Sequence, residues 1–137
     1  MKTIQLLLGA LFFLVTVNAY GEDRPLKRVE VPVDKDGVQK VEILGGGYFF
    51  DPGHIVVKNN VPVELVLTKE SGFTPHNFII KAPDAGINVS VDMDTKPASV
   101  KFTPTKPGKY AIECDKKLLF FPSHKEKGMV GVLEVTE

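Results

Sequence analysis

Tryptophan is absent from this chain of 137 residues, cysteine occurs once and histidine three times. The lone Cys114 cannot close an internal disulfide, so the fold must rest on a hydrophobic core rather than on cross-links. An excess of charge of one sign is missing too. Lysine plus arginine and aspartate plus glutamate each number 17, and the lysines are scattered among the acids. A nucleic-acid partner wants a basic patch or stripe, and none is present. Helical periodicity is absent over any useful length, which argues against a bundle.

Long apolar runs are equally scarce. The one that exists, IQLLLGALFFLVTV from Ile4 to Val17, follows Lys2 and ends at Val17-Asn18-Ala19, whose small side chains suit signal-peptidase cleavage. It falls short of the ~20 residues of a spanning helix, and the charged GEDRPLKR follows it. Residues 1–19 therefore read as a secretory signal, 20–28 as a polar leader and 29–137 as one domain, periplasmic or otherwise exported, with no membrane span after cleavage. Loss of Lys2 leaves 16 basic against 17 acidic residues. Nothing asks for an oligomer, and a monomer is expected. In an oxidising compartment an unpaired cysteine needs a reason to exist.

What is present is alternation. In PVELVLTK, Val63, Leu65 and Leu67 share one face, and in ASVKFT so do Ala98, Val100 and Phe102. Strands are expected at 29–34, 38–44, 54–60, 62–69, 76–81, 87–91, 98–103, 108–114 and 128–136, divided by turn signals such as Gly45-Gly46-Gly47, Asp51-Pro52-Gly53, Asn59-Asn60 and Lys106-Pro107-Gly108. The fold class is all-β, a sandwich of two sheets with about seven to nine strands.

The chemistry gathers at strand ends. In GKYAIEC, Tyr110, Ile112 and Cys114 alternate with outward residues, so the thiol faces inward at the end of its strand. Met129, Gly131, Leu133 and Val135 share a face of the last strand, and His76, Phe78 and Ile80 share a face of HNFIIK. His124 lies in the loop between. One sheet pairing brings a thiolate, two imidazoles and a thioether together, a soft, sulfur-rich set that suits copper; zinc would more often recruit further cysteines or a carboxylate. His54 is expected to be exposed, opposite Ile55 and Val57, and Met93, between two aspartates, to be a surface or loop-packing residue, with a transient copper contact as its alternative.

YFFDPGHIVVKNNVPVELVLTK, PHNFII, KPGKYAIEC and HKEKGMVGVLEV together resemble the cupredoxins, the small blue-copper proteins, over nearly the whole mature chain. The resemblance implies a Greek-key β-sandwich and one copper ion, Cu(II)/Cu(I). It makes His76, Cys114 and His124 equatorial ligands of a type 1 site and Met129 the axial one, with Asn77 tying the two ligand loops from the second shell. One departure is plain. The family commonly places two to four residues between the cysteine and the second histidine, and DKKLLFFPS inserts nine. Binuclear copper centres also use longer loops but need two cysteines.

Of the run Leu118, Leu119, Phe120 and Phe121, some residues are expected to fold back as a lid and others to form an apolar docking surface beside His124. Lys116, Lys117, Lys125 and Lys127 are expected to rim it and steer an acidic partner. The resemblance implies an electron carrier meeting a redox protein such as a cytochrome or oxidase. The alternatives are a copper carrier or buffer that serves a copper acceptor or confers copper tolerance, and a metal-free recognition sandwich. Multicopper catalysis would need histidines beyond His54, and no enzymatic role is expected.

Overall fold

The computed structural model describes residues 25–137, so the signal segment and most of the polar leader lie outside the described residues. Ten strands follow in chain order: β1 Arg28–Glu30, β2 Gln39–Gly46, β3 Phe49–Asp51, β4 His54–Lys58, β5 Val63–Lys69, β6 His76–Ala82, β7 Ile87–Met93, β8 Ala98–Phe102, β9 Gly108–Glu113 and β10 Val130–Thr136. A single 3-10 turn at Pro83–Ala85 links β6 to β7. The six-stranded sheet runs β1-β4-β10-β9-β6-β7 and the four-stranded one β3-β2-β5-β8. Parallel pairing occurs at β1/β4, β4/β10 and β2/β5, and the other strand pairs are antiparallel.

The strand count exceeds the expected seven to nine because β3 has three residues, too few to show alternation. The first strand is shorter than expected. Val31 still donates its N–H to the Val56 carbonyl at 2.9 Å, but Pro32 has no N–H to continue the ladder, and Val33 makes only an isolated bridge to Gln39. At the other end of the chain the last strand starts at Val130, which leaves Met129 in the turn before it.

The core lies between the sheets. Leu65 and Leu67 from β5, Ile43 from β2, Ile55 from β4, Phe78 and Ile80 from β6, Ile87 from β7, Ile112 from β9 and Leu133 from β10 are fully buried, each contributing about 1.5–3 kcal/mol. Phe50 meets Phe78 edge to face at 5.3 Å between ring centroids. Gln39 is a polar exception and is fully satisfied: its Oε1 accepts from the Lys58 N–H at 2.6 Å and its Nε2 donates to the Lys58 and Val61 carbonyls. It ties β2 to the end of β4.

Two expectations are corrected by the strand registers. His54 is not simply exposed: it lies on β4 beside β10, half-buried, with Nε2 2.6 Å from Glu134 Oε2. Its bond holds the Glu134 carboxyl below its ordinary pKa. Met93 is core, not surface, because β7 runs two residues past Val91 and keeps Ile87, Val89, Val91 and Met93 on one face.

Candidate metal centre

Three side chains, His76, Cys114 and His124, converge at one end of the sandwich, the first two because each lies on the inward face of its own strand. His76 begins β6, Cys114 directly follows β9, His124 sits in the β9–β10 connection and Met129 directly precedes β10. All four are buried, Cys114 and Met129 completely. His76 Nδ1 lies 3.2 Å from His124 Nδ1, and Cys114 Sγ lies 3.5 Å from His124 Nδ1. One donor atom from each of these three residues lies within 4.8 Å of the others. Donors bound at ~2.0–2.3 Å around one trigonal or tetrahedral ion stand about 3.3–3.8 Å apart, so the observed spacings suit a single metal ion.

Both imidazoles are held below the ordinary histidine pKa, His76 by burial and then by the charges of His124 and Lys69, His124 by burial and then by Lys127. They are therefore neutral near pH 7, the state that offers a nitrogen lone pair to a metal. Asn77 braces the group from behind. Its backbone N–H points at Cys114 Sγ at 3.4 Å, its side-chain Nδ2 donates to Asp115 Oδ1 at 2.6 Å, and its Oδ1 accepts from the Asp115 N–H at 3.0 Å. These three bonds join the start of β6 to the end of β9.

The long insertion leaves the centre intact because it is pinched off at its base. The His124 N–H donates to the Lys116 carbonyl at 2.8 Å and the Lys125 N–H to the Cys114 carbonyl at 3.1 Å, so residues 117–123 form an excursion outside a closed neck. Past the neck, Ser123 and Glu126 cap the turn reciprocally, Ser123 N–H to Glu126 Oε2 and Glu126 N–H to Ser123 Oγ. The Met129 N–H donates to the His124 carbonyl at 2.9 Å and fixes the last spacing.

Leu118, Leu119, Phe120 and Phe121 are 66, 73, 85 and 49 % exposed. The expected division into buried lid and exposed surface is corrected: none of the four is buried, because the excursion turns away from the sandwich. The basic rim is corrected in part as well. Lys116 is bonded to Asp92 and Lys125 to Glu113, while Lys127 lies over the Tyr48 ring, which leaves less free charge for steering.

Tyr48 is the neighbour that sequence reasoning missed. β2 and β3 are joined by a two-residue turn, Gly47-Tyr48, in which both φ angles are positive, 42° and 64°. A bulky residue in that region costs about 1–3 kcal/mol. The conformation sets the Tyr48 ring edge-on to both imidazoles, 5.0 Å from His124 and 6.4 Å from His76 between centroids, with Lys127 Nζ donating to its hydroxyl at 3.2 Å. The glycine run foretold the turn, but what its second residue would cover depends on strands distant in sequence.

The sequence matches the cupredoxin-like domain family over residues 5–132, and the chain belongs to that family. Its fold is similar to the metal-binding domain of a Cu(I)-exporting P-type ATPase from Streptococcus pneumoniae, solved with Cu(I) (TM-score 0.60, 18 % identity, covering 83 % of this chain and all of that one). Similar too are auracyanin A, a "blue" copper protein of Chloroflexus aurantiacus (0.54, 21 %, 73 % and 100 %), and the periplasmic domain of cytochrome oxidase subunit II from Bradyrhizobium japonicum (0.54, 16 %, 72 % and 83 %). Among curated proteins none matches in sequence. The family and the His-Cys-His cluster together support a single copper ion as cofactor.

Proposed function

We propose that this chain is an exported mononuclear copper protein that carries single electrons between larger redox proteins, with His76, Cys114 and His124 as equatorial donors and Met129 as the axial one. The observation that carries the reading is the convergence of one thiol and two neutral imidazoles at metal-ligand spacing, with a buried thioether at the next strand end. Bound copper would supply a Cu(II)/Cu(I) couple, which a preset soft donor set serves with little rearrangement. The Asn77 N–H on Cys114 Sγ draws electron density from the sulfur, and its paired bonds to Asp115 hold the thiol in place. Tyr48 keeps water from the imidazole edges.

Residues 118–121 form the docking surface for a redox partner such as a cytochrome or oxidase, and contact there is apolar rather than charge-steered. Residues 1–19 direct export and are removed, residues 29–137 act as a monomer, and the role is not enzymatic: His54, the remaining histidine, is committed to Glu134.

One observation favours a second reading, a periplasmic copper carrier or buffer that delivers copper to an oxidase or confers tolerance: a second buried thioether, Met93, stands beside the cluster. Adding Cu(II) to the purified apo-protein tests the first reading. An intense visible thiolate-to-copper band that Cys114→Ser abolishes is expected; no such band sinks it. Electron exchange faster than Cu(I) transfer to an acceptor selects the electron carrier, and the reverse order selects the copper carrier.

A further inference from the structure

Met93 ends β7 in direct register with His76 on β6. Directly opposed residues of an antiparallel pair share a face with Cβ atoms about 4.5–5.5 Å apart, and both side chains are buried. The facing sheet supplies an independent constraint. A Cβ built on Gly45 of β2 would stand 2.9 Å from both Sδ and Cε of Met93 and 3.4 Å from Cε of Met129. Met93 at the end of β7 and Met129 just before β10 thus close on one small volume, which stays open for them because residue 45 has no side chain. Unbranched and turning about three bonds, a methionine side chain can swing its sulfur across such a space.

We propose that Met93 is a second thioether donor to the copper centre, able to take the place of Met129 when the ion is Cu(I). The inference rests on the copper-binding reading above. Thioether sulfur is a soft, neutral donor that suits Cu(I), so a second one favours the reduced ion without adding charge or releasing a proton. Gly45 is then a positioning residue, holding room for the exchange.

Four full-length proteins test this: native, Met93→Leu, Met129→Leu and the double variant. Leucine nearly conserves volume, and apo-protein melting temperatures separate lost packing from lost ligation. Anaerobic competition with bathocuproine disulfonate measures Cu(I) affinity. Met129→Leu alone should weaken Cu(I) binding by about tenfold or less, while adding Met93→Leu to it should cost at least about tenfold more than Met93→Leu costs in the native chain, within the range of coupled neighbours. Equal effects of Met93→Leu in the two backgrounds overturn the proposal. X-ray absorption gives a direct readout. In selenomethionine-labelled Met129→Leu, copper–selenium scattering should persist and then vanish in the double variant; its absence from the single variant is also refuting. A native protein that binds no Cu(I) overturns this proposal and the copper reading together, whereas native Cu(I) binding with no added loss from Met93→Leu in the Met129→Leu background overturns only the former.

Discussion

Shortening the Cys114–His124 connection should leave the metal centre whole. The neck bond from the His124 N–H to the Lys116 carbonyl is 2.8 Å long and spans seven intervening residues. In a β-turn the same bond joins residues three apart. Replacing Lys117–Pro122 by one asparagine puts Lys116 and His124 at that separation, keeps Ser123 for its reciprocal bonds with Glu126, and leaves four residues between Cys114 and His124. Closing a loop of two rather than seven residues lowers the entropic cost by (3/2)RT ln(7/2), about 1 kcal/mol. Little is lost against this gain, since the excised Leu118, Leu119, Phe120 and Phe121 are all exposed and their main mutual contact is the stacked Phe120–Phe121 pair. The apo-protein should melt unchanged or up to about 4 °C higher, and the copper-loaded visible band should remain. Electron exchange with a partner that docks on the excised residues should slow. A melting temperature lower by more than about 5 °C, or loss of the band, would refute the view that the excursion lies outside the structure of the centre.

The remaining predictions concern the brace and the two imidazoles. Asn77→Ala removes both side-chain bonds to Asp115 and leaves a carboxylate beside the cysteine without its partner, which should destabilise the apo-protein by about 2 kcal/mol and shift the copper band; denaturant unfolding and the visible spectrum check the two effects, and an unchanged pair of readings would contradict the bracing role. Both histidine pKa values lie lower in the folded protein than the unfolded ~6.5, so the unfolded chain takes up protons first as pH falls. Their contribution to apo stability is whole above about pH 6.5 and is lost on descending through the window to the lowered folded values, at a rate of at most about 1.4 kcal/mol per pH unit for each proton. Chemical denaturation of the apo-protein from pH 8 to 5 measures this, and stability that is flat over the interval or rises on acidification contradicts it.

Much of this fold was legible because alternation is local. Val63, Leu65 and Leu67, or Tyr110, Ile112 and Cys114, announce an inward face within a few residues, and pairing follows once two such faces need covering. The inward placing of His76 and Cys114 was readable on the same ground. Features that depend on what a distant strand presents were not. The Glu134 carboxylate that engages His54 lies on β10, eighty positions away, and the imidazoles under Tyr48 come from β6 and the β9–β10 connection. Met93 was open to a correct reading, since it continues the alternation of Ile87, Val89 and Val91; the flanking Asp92 and Asp94 suggested a surface loop but belong to the other face of the same strand. Leu118 to Phe121 show the opposite error. An apolar run says that burial would be favourable, but burial needs a receiving surface, and beyond the bonded neck this run stays exposed.

The same reasoning explains why the donors are inside at all. Burying a neutral imidazole costs up to about 1–3 kcal/mol before any hydrogen bond offsets it, and β6 could spare that by slipping one residue along its neighbours. The slip would also turn Phe78 and Ile80 outward, since residues two apart share a face. Those two side chains are fully buried and together contribute about 3–6 kcal/mol. The core register therefore outweighs the polar group and holds His76 inward. Ile112 holds Cys114 in the same way, and Leu133 and Val135 hold Met129. The group thus gathers where core-facing rows reach the same end of the sandwich, with His76 and Cys114 at the row ends, while the bonded neck of the β9–β10 connection brings His124 to them.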